Sequence, residues 1–345
     1  MQTEKRFYIL DCVKFILAII IVFHHFQQST VTKYAEGINY FYGNISFGYA
    51  VEFFYIISGF LTIYAWSGKD IGFSEFFIRK CKRLYPMIAI SVFVTIIMQG
   101  IYKIIFHRDF LGITLDIWRI FNSFLLTFAG GAVTRVGLGI NNPLWYVCVL
   151  LQCYCFFYFI SWYCRRLSVP CIYSFIIMVF IGIGVNNYNI NVPFFNILSS
   201  RGYASFFLGC VLFYIYKYYF SKIVVLLSFI GMVATCIAYI SAGGVIKNQW
   251  EIFTFIFFPS IFFGVLKIEK FFVSNIWKVL GAISFQMYIW HMPLIIELEI
   301  LNKIGIVCKY GGVWTKLQMY EFTFVVICFS WVMYEFVEKK INTKF

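Results

Sequence analysis

Two ionisable side chains in the first apolar segment could do chemistry inside a membrane. Lys14 and His25 lie in the stretch from Phe7 to Phe26, which is otherwise almost uncharged. Hydrocarbon does not solvate an ammonium or an imidazole, so both side chains predict a functional site or a buried partner. On a helix, their spacing of 11 residues places them about 20° apart around the axis and about 16 Å apart along it. Asp11 falls on the same stripe, and we predict that this face points into the protein.

Polar residues at helical spacing also occur in three later apolar segments. If successive segments cross the membrane in opposite directions, the polar residues of all three lie near the level of His25, beyond the midplane. We therefore predict that four helices line one polar cavity. The three stripes are Glu52, Tyr55 and Gly59; Trp145, Cys148 and Gln152; and Ser284, Tyr288 and His291.

Each of these features also has an interpretation without catalysis. Lys14 could serve only to neutralise the aspartate three residues earlier. A lone histidine in a membrane, such as His25 or His291, could serve only to hydrogen-bond a neighbouring helix. The carboxylate of Glu52 could extend to the outer membrane surface. The segment Ser58-Gly59-Phe60 could be a close contact between two helices that requires a small residue.

The composition indicates a membrane protein. Of the 345 residues, 62% are hydrophobic and only 12% are charged, too few charges to cover a water-soluble surface. We therefore predict an all-α fold, a polytopic membrane helical bundle that forms a single domain over residues 1–345. Apolar windows of about 20 residues predict ten transmembrane helices, roughly at 7–27, 46–66, 84–106, 144–163, 171–186, 202–220, 223–242, 250–266, 279–300 and 320–338.

The distribution of Lys and Arg predicts the orientation of the bundle. Basic residues are more numerous at the helix ends on the side of the N-terminus, and the positive-inside rule then predicts that both termini are cytoplasmic. Because the formal net charge of +13 is spread over helix ends, it indicates a lipid bilayer as partner and no nucleic acid. The apolar stretch from Phe110 to Phe128 is interrupted by Asp116, Arg119 and Asn122, so we predict an interfacial or re-entrant segment there.

Four cations precede the third predicted helix. Arg79, Lys80, Lys82 and Arg83 fall within five residues. On a helix, Arg79 and Arg83 share a face and could clamp a phosphorylated ligand. Attraction to anionic lipid headgroups on the cytoplasmic side explains the same cluster without any ligand.

The cysteines do not suggest a metal or redox site. Eleven are present, nearly all inside predicted helices, and no two have Cys-x-x-Cys spacing. We therefore predict that they are packing residues and that no metal is bound.

Several motifs in their order along the chain resemble the bacterial acyltransferase 3 family of integral-membrane proteins. Lys14, ten residues and His25 resemble the opening signature of that family, in which Arg is commoner than Lys at the first position. Glu52 followed by Ser58-Gly59-Phe60 is similar to its second helix. The other matching stretches are Arg79-x3-Arg83, Asn142-Pro143-Leu144-Trp145-Tyr146, Ile283-Ser284 through Tyr288 to His291, and Tyr334-Glu335-Phe336.

The resemblance implies an O-acyltransferase of the bacterial cytoplasmic membrane. Such an enzyme would move an acyl group, usually acetyl, from cytoplasmic acetyl-CoA or another acyl-CoA to a hydroxyl of a cell-envelope or exported polysaccharide or a lipid-linked saccharide. It implies the following roles: His25, Lys14, Asp11 and Glu52 as catalytic residues, with His25 as general base or transient acyl carrier; Arg79, Lys82, Arg83 and Lys14 as acyl-CoA ligands; and Ser58, Trp145, Tyr288 and His291 as acceptor ligands.

A transporter or flippase for an envelope saccharide or lipid precursor is the strongest alternative. Ten helices with charges inside the membrane are typical of carriers as well as of enzymes. The chain shows no repeated halves, which a carrier often has, and the cation cluster at Arg79–Arg83 fits an anionic coenzyme. These two features favour the enzyme.

Overall fold

The computed structural model describes residues 6–29, 47–66, 71–129, 138–243, 246–312 and 314–342. Within these ranges the chain is almost entirely helical, and an isolated bridge between Val192 and Phe195 is the one strand-like pairing. The helices are α1 Tyr8–Ser29, α2 Ala50–Trp66, α3 Phe73–Phe106, α4 Ile117–Leu125, α5 Trp145–Arg166, α6 Cys171–Asn187, α7 Ile197–Tyr219, α8 Lys222–Ser241, α9 Gln249–Lys267, α10 Asn275–Lys303 and α11 Lys316–Ile341.

The helices confirm an all-α polytopic membrane bundle. In the described part of the chain, nine helices are long and apolar enough to cross a membrane. The tenth predicted segment is α6, a shorter apolar helix of 17 residues. Helix α3 begins at Phe73, well before the predicted start near residue 84, so the cluster from Arg79 to Arg83 is helical.

The interrupted stretch that follows α3 is not a spanning helix. Its helix α4 is only 9 residues long, whereas a bilayer needs about 20. Asp116 caps its start, because the carboxylate accepts a hydrogen bond of 2.8 Å from the backbone N–H of Arg119. This hydrogen bond lowers the pKa of the Asp116 carboxyl. The two glycines Gly130-Gly131 that follow lie outside the described residues.

Contacts at the two ends of the bundle show the relative directions of α1, α9 and α10: α10 runs parallel to α1, and α9 runs antiparallel to it. We call the end at which α1 begins the inner end and the opposite end the outer end. At the inner end, the backbone N–H groups of Tyr8 and Ile9 each donate to the carboxylate of Glu269, after α9, at 2.9 Å. These hydrogen bonds satisfy two of the backbone N–H groups that have no partner within the first turn of a helix. At the outer end, His25 near the end of α1 meets His291 of α10.

Glycines allow two helix pairs to approach closely. A Cβ atom built on Gly59 of α2 would overlap the backbone carbonyl of Phe206 in α7, and one on Gly209 of α7 would overlap that of Ile56 in α2. The small-residue contact considered for the Ser58-Gly59-Phe60 segment is therefore present. In the same way, Gly281 of α10 packs against the side chain of Asp11 in α1. These contacts fix the helices that carry the site residues described below.

Candidate active site

A cavity of about 640 Å³ enters the bundle from its inner end. Its walls come from α1, α2, α3, α5, α10 and α11, which include all four helices that carried the predicted polar stripes. Charged side chains surround its mouth, whereas hydroxyl groups of α2, α5 and α10 lie deeper. The charged lining residues are Arg6, Asp11, Lys14, Lys80, Arg83 and Glu338, so cations outnumber carboxylates.

Asp11 and Lys14 form the predicted pair on one wall of this cavity. The ammonium of Lys14 lies 2.5 Å from one carboxylate oxygen of Asp11, and the Nε of Arg6 donates to the other at 2.7 Å. Lys14 therefore pairs with Asp11 and also lines the cavity. Since Asp11 has two cationic partners, this wall keeps a positive charge.

The structure brings only part of the cation cluster to the cavity. Lys80 and Arg83 line it, and the ammonium of Lys80 lies 4.6 Å from the centre of the Tyr154 ring. Arg79 does not: its side chain is 63% exposed and forms an ion pair with Glu75. Lys82 is also exposed and does not line the cavity. The prediction that Arg79 and Arg83 clamp one ligand together is therefore not supported by their positions.

Hydroxyl groups lie at the deep end of the cavity. The hydroxyls of Ser58 and Tyr146 are 3.1 Å apart, and the hydroxyl of Tyr55 donates to the backbone carbonyl of Tyr146 at 3.0 Å. The Tyr288 hydroxyl donates to the backbone carbonyl of Pro143. The predicted residues Ser58 and Tyr288 thus both line the cavity, and their hydrogen bonds join α2, α5 and α10 at this level.

His25 and His291 lie just beyond this deep end. Their imidazole rings stack with centroids 5.0 Å apart, and the Tyr288 ring lies 6.0 Å from that of His291. His25 Nδ1 is 3.1 Å from the side-chain oxygen of Gln28. His291 Nδ1 is 3.0 Å from the backbone oxygen of Met287, and because a carbonyl only accepts, Nδ1 carries the proton. In the neutral ring Nε2 is then basic, and it is buried without a hydrogen-bond partner among the described residues.

Glu52 lies apart from the histidines, in a buried ion pair that the sequence did not suggest. Its carboxylate accepts from Arg201 of α7 at 2.5 and 2.9 Å and from the indole of Trp250 at 3.0 Å. Glu52 is 0% exposed, so it does not extend to the membrane surface. The predicted residue Trp145 belongs to this cluster, since the Arg201 guanidinium lies 4.9 Å from its ring.

The sequence patterns did not indicate several other residues of the site, because these residues are not part of the polar stripes at helical spacing. Arg6 precedes the first helix, and Arg201 is a single cation near the start of α7 with no partner at helical spacing. Glu338, at the cavity mouth, accepts a hydrogen bond of 2.5 Å from Gln286. In the described part of the chain, no three His, Cys, Asp or Glu residues are grouped so that they could hold a metal ion.

The comparison with protein families assigns the chain. A family model described as an acyltransferase domain, Acyl_transf_3, matches residues 7–335. The chain belongs to this acyltransferase family. The match covers α1, α2, α3, α5 and α10 completely and α11 up to residue 335, so that Arg6 and Glu338 are the cavity residues outside it. No curated protein and no solved structure gives a significant match.

Proposed function

We propose that this acyltransferase moves an acetyl group from cytoplasmic acetyl-CoA to a hydroxyl of a cell-envelope or exported saccharide, within the bacterial cytoplasmic membrane. The observation that carries the proposal is the cavity, which has cations at its mouth and leads towards a stacked histidine pair. Family membership supports acyl transfer. The choice of acetyl-CoA and of a saccharide rests on the resemblance in motifs and on the chemistry of the cavity.

The donor would enter from the inner end. Coenzyme A carries several phosphate charges at one end and its thioester at the end of a long arm, and Arg83, Lys80 and Arg6 are cations at the mouth. Charge-assisted hydrogen bonds from such side chains to phosphate are about twice as strong as neutral ones. With its phosphates held there, the donor extends past Lys14 and Ser58 towards the deep end.

The histidine pair would supply the base. An imidazole of His25 takes the proton of an acceptor hydroxyl as its oxygen attacks the thioester carbonyl. The carbon–sulfur bond breaks, and the CoA thiolate leaves with the proton from the imidazolium. Alternatively a ring nitrogen of His25 attacks the thioester carbonyl, the carbon–sulfur bond breaks, and the CoA thiolate leaves with the proton of the acylated ring. The acceptor oxygen then takes the acetyl group from the ring, and the proton of the hydroxyl returns to the imidazole. Either route suits an imidazole that is neutral near pH 7.

The remaining candidate residues would position these groups. Asp11 holds Lys14 beside the donor route. The basic Nε2 of His291 has no hydrogen-bond partner in the described part of the chain, so it would be the atom that contacts the acceptor. Tyr288 orients the adjoining helix turn through its hydrogen bond to Pro143. Glu52 acts indirectly, because it fixes Arg201 and through it Trp145, so we assign it positioning and not proton transfer.

Acetyl transfer by purified protein tests the proposal. The protein is reconstituted in liposomes with acetyl-CoA labelled in the acetyl group and with saccharides released from the envelope of cells that carry it. We expect free CoA and labelled saccharide from the unaltered protein, and neither from His25→Ala. The matched control is His24→Ala, which removes the neighbouring imidazole and should keep transfer.

Two results would contradict the proposal. Full turnover by His25→Ala would remove this imidazole from the mechanism. Movement of labelled saccharide across the liposome membrane without any release of CoA would identify a transporter instead of an enzyme.

A further inference from the structure

A second, smaller cavity lies at the outer end of the bundle and is not part of the donor cavity. Its volume is about 240 Å³. Its walls come from the last residue of α1, the end of α3, the connection from α3 to α4, and the outer part of α10. This volume is slightly below that of common ligand pockets, which begin at about 300 Å³. We call it the outer pocket.

The outer pocket combines balanced charges with an aromatic side chain. Arg108 and Lys309 provide cations, and Asp109 and Glu299 provide carboxylates. Two of their contacts are long: Lys309 lies 3.9 Å from Glu299, and Arg108 donates to the hydroxyl of Tyr102 at 3.4 Å. The carboxylates are held more closely, Asp109 by Lys103 at 3.0 Å and Glu299 by the indole of Trp314 at 2.8 Å. Because both cations and carboxylates line the pocket, it offers donors as well as acceptors, which suits the hydroxyl groups of a sugar.

Ser29 provides an independent indication of a ligand. Its side chain lines the outer pocket, the residue is only 2% exposed, and its hydroxyl has no hydrogen-bond partner among the described residues. Buried hydroxyls in native proteins nearly always have a partner, so such a group indicates a bound water or ligand. Since Ser29 forms part of the pocket wall, a ligand in the outer pocket would lie next to this residue.

The position of Ser29 relates the outer pocket to the histidine pair. Ser29 follows His25 by four residues on α1, so the two share a helix face about 6 Å apart along the axis. The donor cavity ends at Tyr288, whose ring lies 6.0 Å from that of His291. The stacked imidazoles therefore lie between the inner cavity and the level of the outer pocket.

We propose that the outer pocket binds the acceptor as one neutral, polyhydroxylated sugar ring and directs a hydroxyl of that ring towards His25. Carboxylates such as Asp109 and Glu299 accept hydrogen bonds from neighbouring hydroxyls, and Arg108 and Lys309 donate to ring and hydroxyl oxygens. The T-shaped pair of Tyr102 and Phe110, with centroids 5.1 Å apart, adds an apolar wall. This inference rests on the proposed acetyl transfer but concerns a different set of residues.

Kinetics with two variants test the outer pocket. Glu299→Gln and Arg108→Ala are compared with Lys247→Ala, which removes an exposed outer-end cation that does not line the pocket. With released envelope saccharides as acceptor, we expect the first two to raise the acceptor KM at least tenfold and to leave the KM for acetyl-CoA within twofold. Lys247→Ala should change neither constant. An unchanged acceptor KM in both pocket variants, or an equal rise for both substrates, would overturn the proposal.

A binding measurement separates this proposal from the proposed reaction. The indole of Trp314 donates to Glu299 at 2.8 Å, so sugar bound at Glu299 should change tryptophan emission. We expect the same saccharides to change it in the unaltered protein and in His25→Ala, but not in Glu299→Gln or Trp314→Phe. If no acetyl transfer occurs but this pattern holds, the proposed reaction fails and the sugar pocket stands. A response retained in Glu299→Gln overturns the pocket.

An anionic lipid headgroup is the other occupant to distinguish. Transfer is measured in liposomes of phosphatidylcholine alone and in liposomes that also contain phosphatidylglycerol. We expect the acceptor KM to be the same in both. A KM that depends on phosphatidylglycerol, with Arg108→Ala removing that dependence, would identify a lipid site and overturn the sugar assignment.

Discussion

The imidazoles of His25 and His291 stack at 5.0 Å between ring centroids, although the residues come from the first and the tenth of the eleven helices. His25 is 7% exposed and His291 is fully buried. Stacked aromatic rings at this distance fix each other in orientation. In the proposed reaction, His291 would therefore position the base, in addition to its proposed contact with the acceptor.

Replacement of His291 by Phe tests this relationship. The Phe ring preserves the stack but removes Nε2, whose lone pair has no partner among the described residues. We expect kcat to fall about tenfold or more, within the range that a positioned acid–base group contributes, and the acetyl-CoA KM to stay unchanged. An unchanged kcat in His291→Phe would contradict a function for this nitrogen.

Arg79 and Arg83 belong to one sequence motif but differ in their position relative to the cavity mouth. Both are exposed, but Arg83 lines the cavity, whereas Arg79 does not line it and is paired with Glu75. We expect Arg83→Ala to raise the Kd for CoA about 10- to 100-fold, since a charged hydrogen bond contributes about 1.5–3 kcal/mol. Arg79→Ala serves as the matched control and should change it less than about threefold. Isothermal titration with CoA in detergent measures both, and equal losses in the two variants would contradict the assignment.

The outcome at these residues shows what helical spacing predicts and what it does not. The ten apolar segments gave the spanning helices, and the stripe with Asp11, Lys14 and His25 does face the interior. Spacing within a helix describes only one helix at a time. The Glu52–Arg201 pair joins α2 to α7 and the His25–His291 stack joins α1 to α10, and such pairings depend on helix neighbours that the sequence pattern does not specify.

The sequence did not show which cations of the cluster line the cavity, for a related reason. On a helix, the four cations within five residues span about 160° of the circumference, so they cannot all face one cavity. The predicted start of α3 also left the cluster outside the helix. In the observed helix, which begins at Phe73, Lys80 and Arg83 line the cavity, whereas Arg79 and Lys82 do not. Only the packing of α3 decides between these faces.

The ion pair of Glu52 with Arg201 predicts a large effect on stability. Glu52→Gln leaves the Arg201 guanidinium buried without a carboxylate, and breaking a buried pair costs about 3–5 kcal/mol. We expect a clear fall in the thermal midpoint of the detergent-solubilised protein. The double variant Glu52→Leu with Arg201→Met should recover most of it, because an apolar pair of similar volume is often neutral.

Activity of that double variant then separates stability from positioning. Trp145 loses its cationic neighbour when Arg201 is replaced. If the pair only stabilises the fold, the recovered protein transfers acetyl at the normal rate. We expect instead a raised acceptor KM with a normal acetyl-CoA KM, which would agree with a positioning role for Glu52.

The close approach of α2 and α7 at Gly59 gives a prediction about the bundle itself. A Cβ at this position would overlap the backbone oxygen of Phe206, and backbone in two packed helices cannot move aside as a flexible side chain can. We expect Gly59→Ala to destabilise the protein by about 1–3 kcal/mol, the usual cost of overpacking. Gly100→Ala in α3 is the matched control, since its Cβ would meet nothing within 4 Å. At Gly100, the better helix propensity of Ala should stabilise the protein by up to about 1 kcal/mol.

Reversible unfolding in mixed detergent micelles measures the stability of both variants. A Gly59→Ala protein as stable as Gly100→Ala would show that α2 and α7 are further apart than this contact requires, and the hydrogen bonds that α2 contributes at the deep end of the cavity would then need a different arrangement.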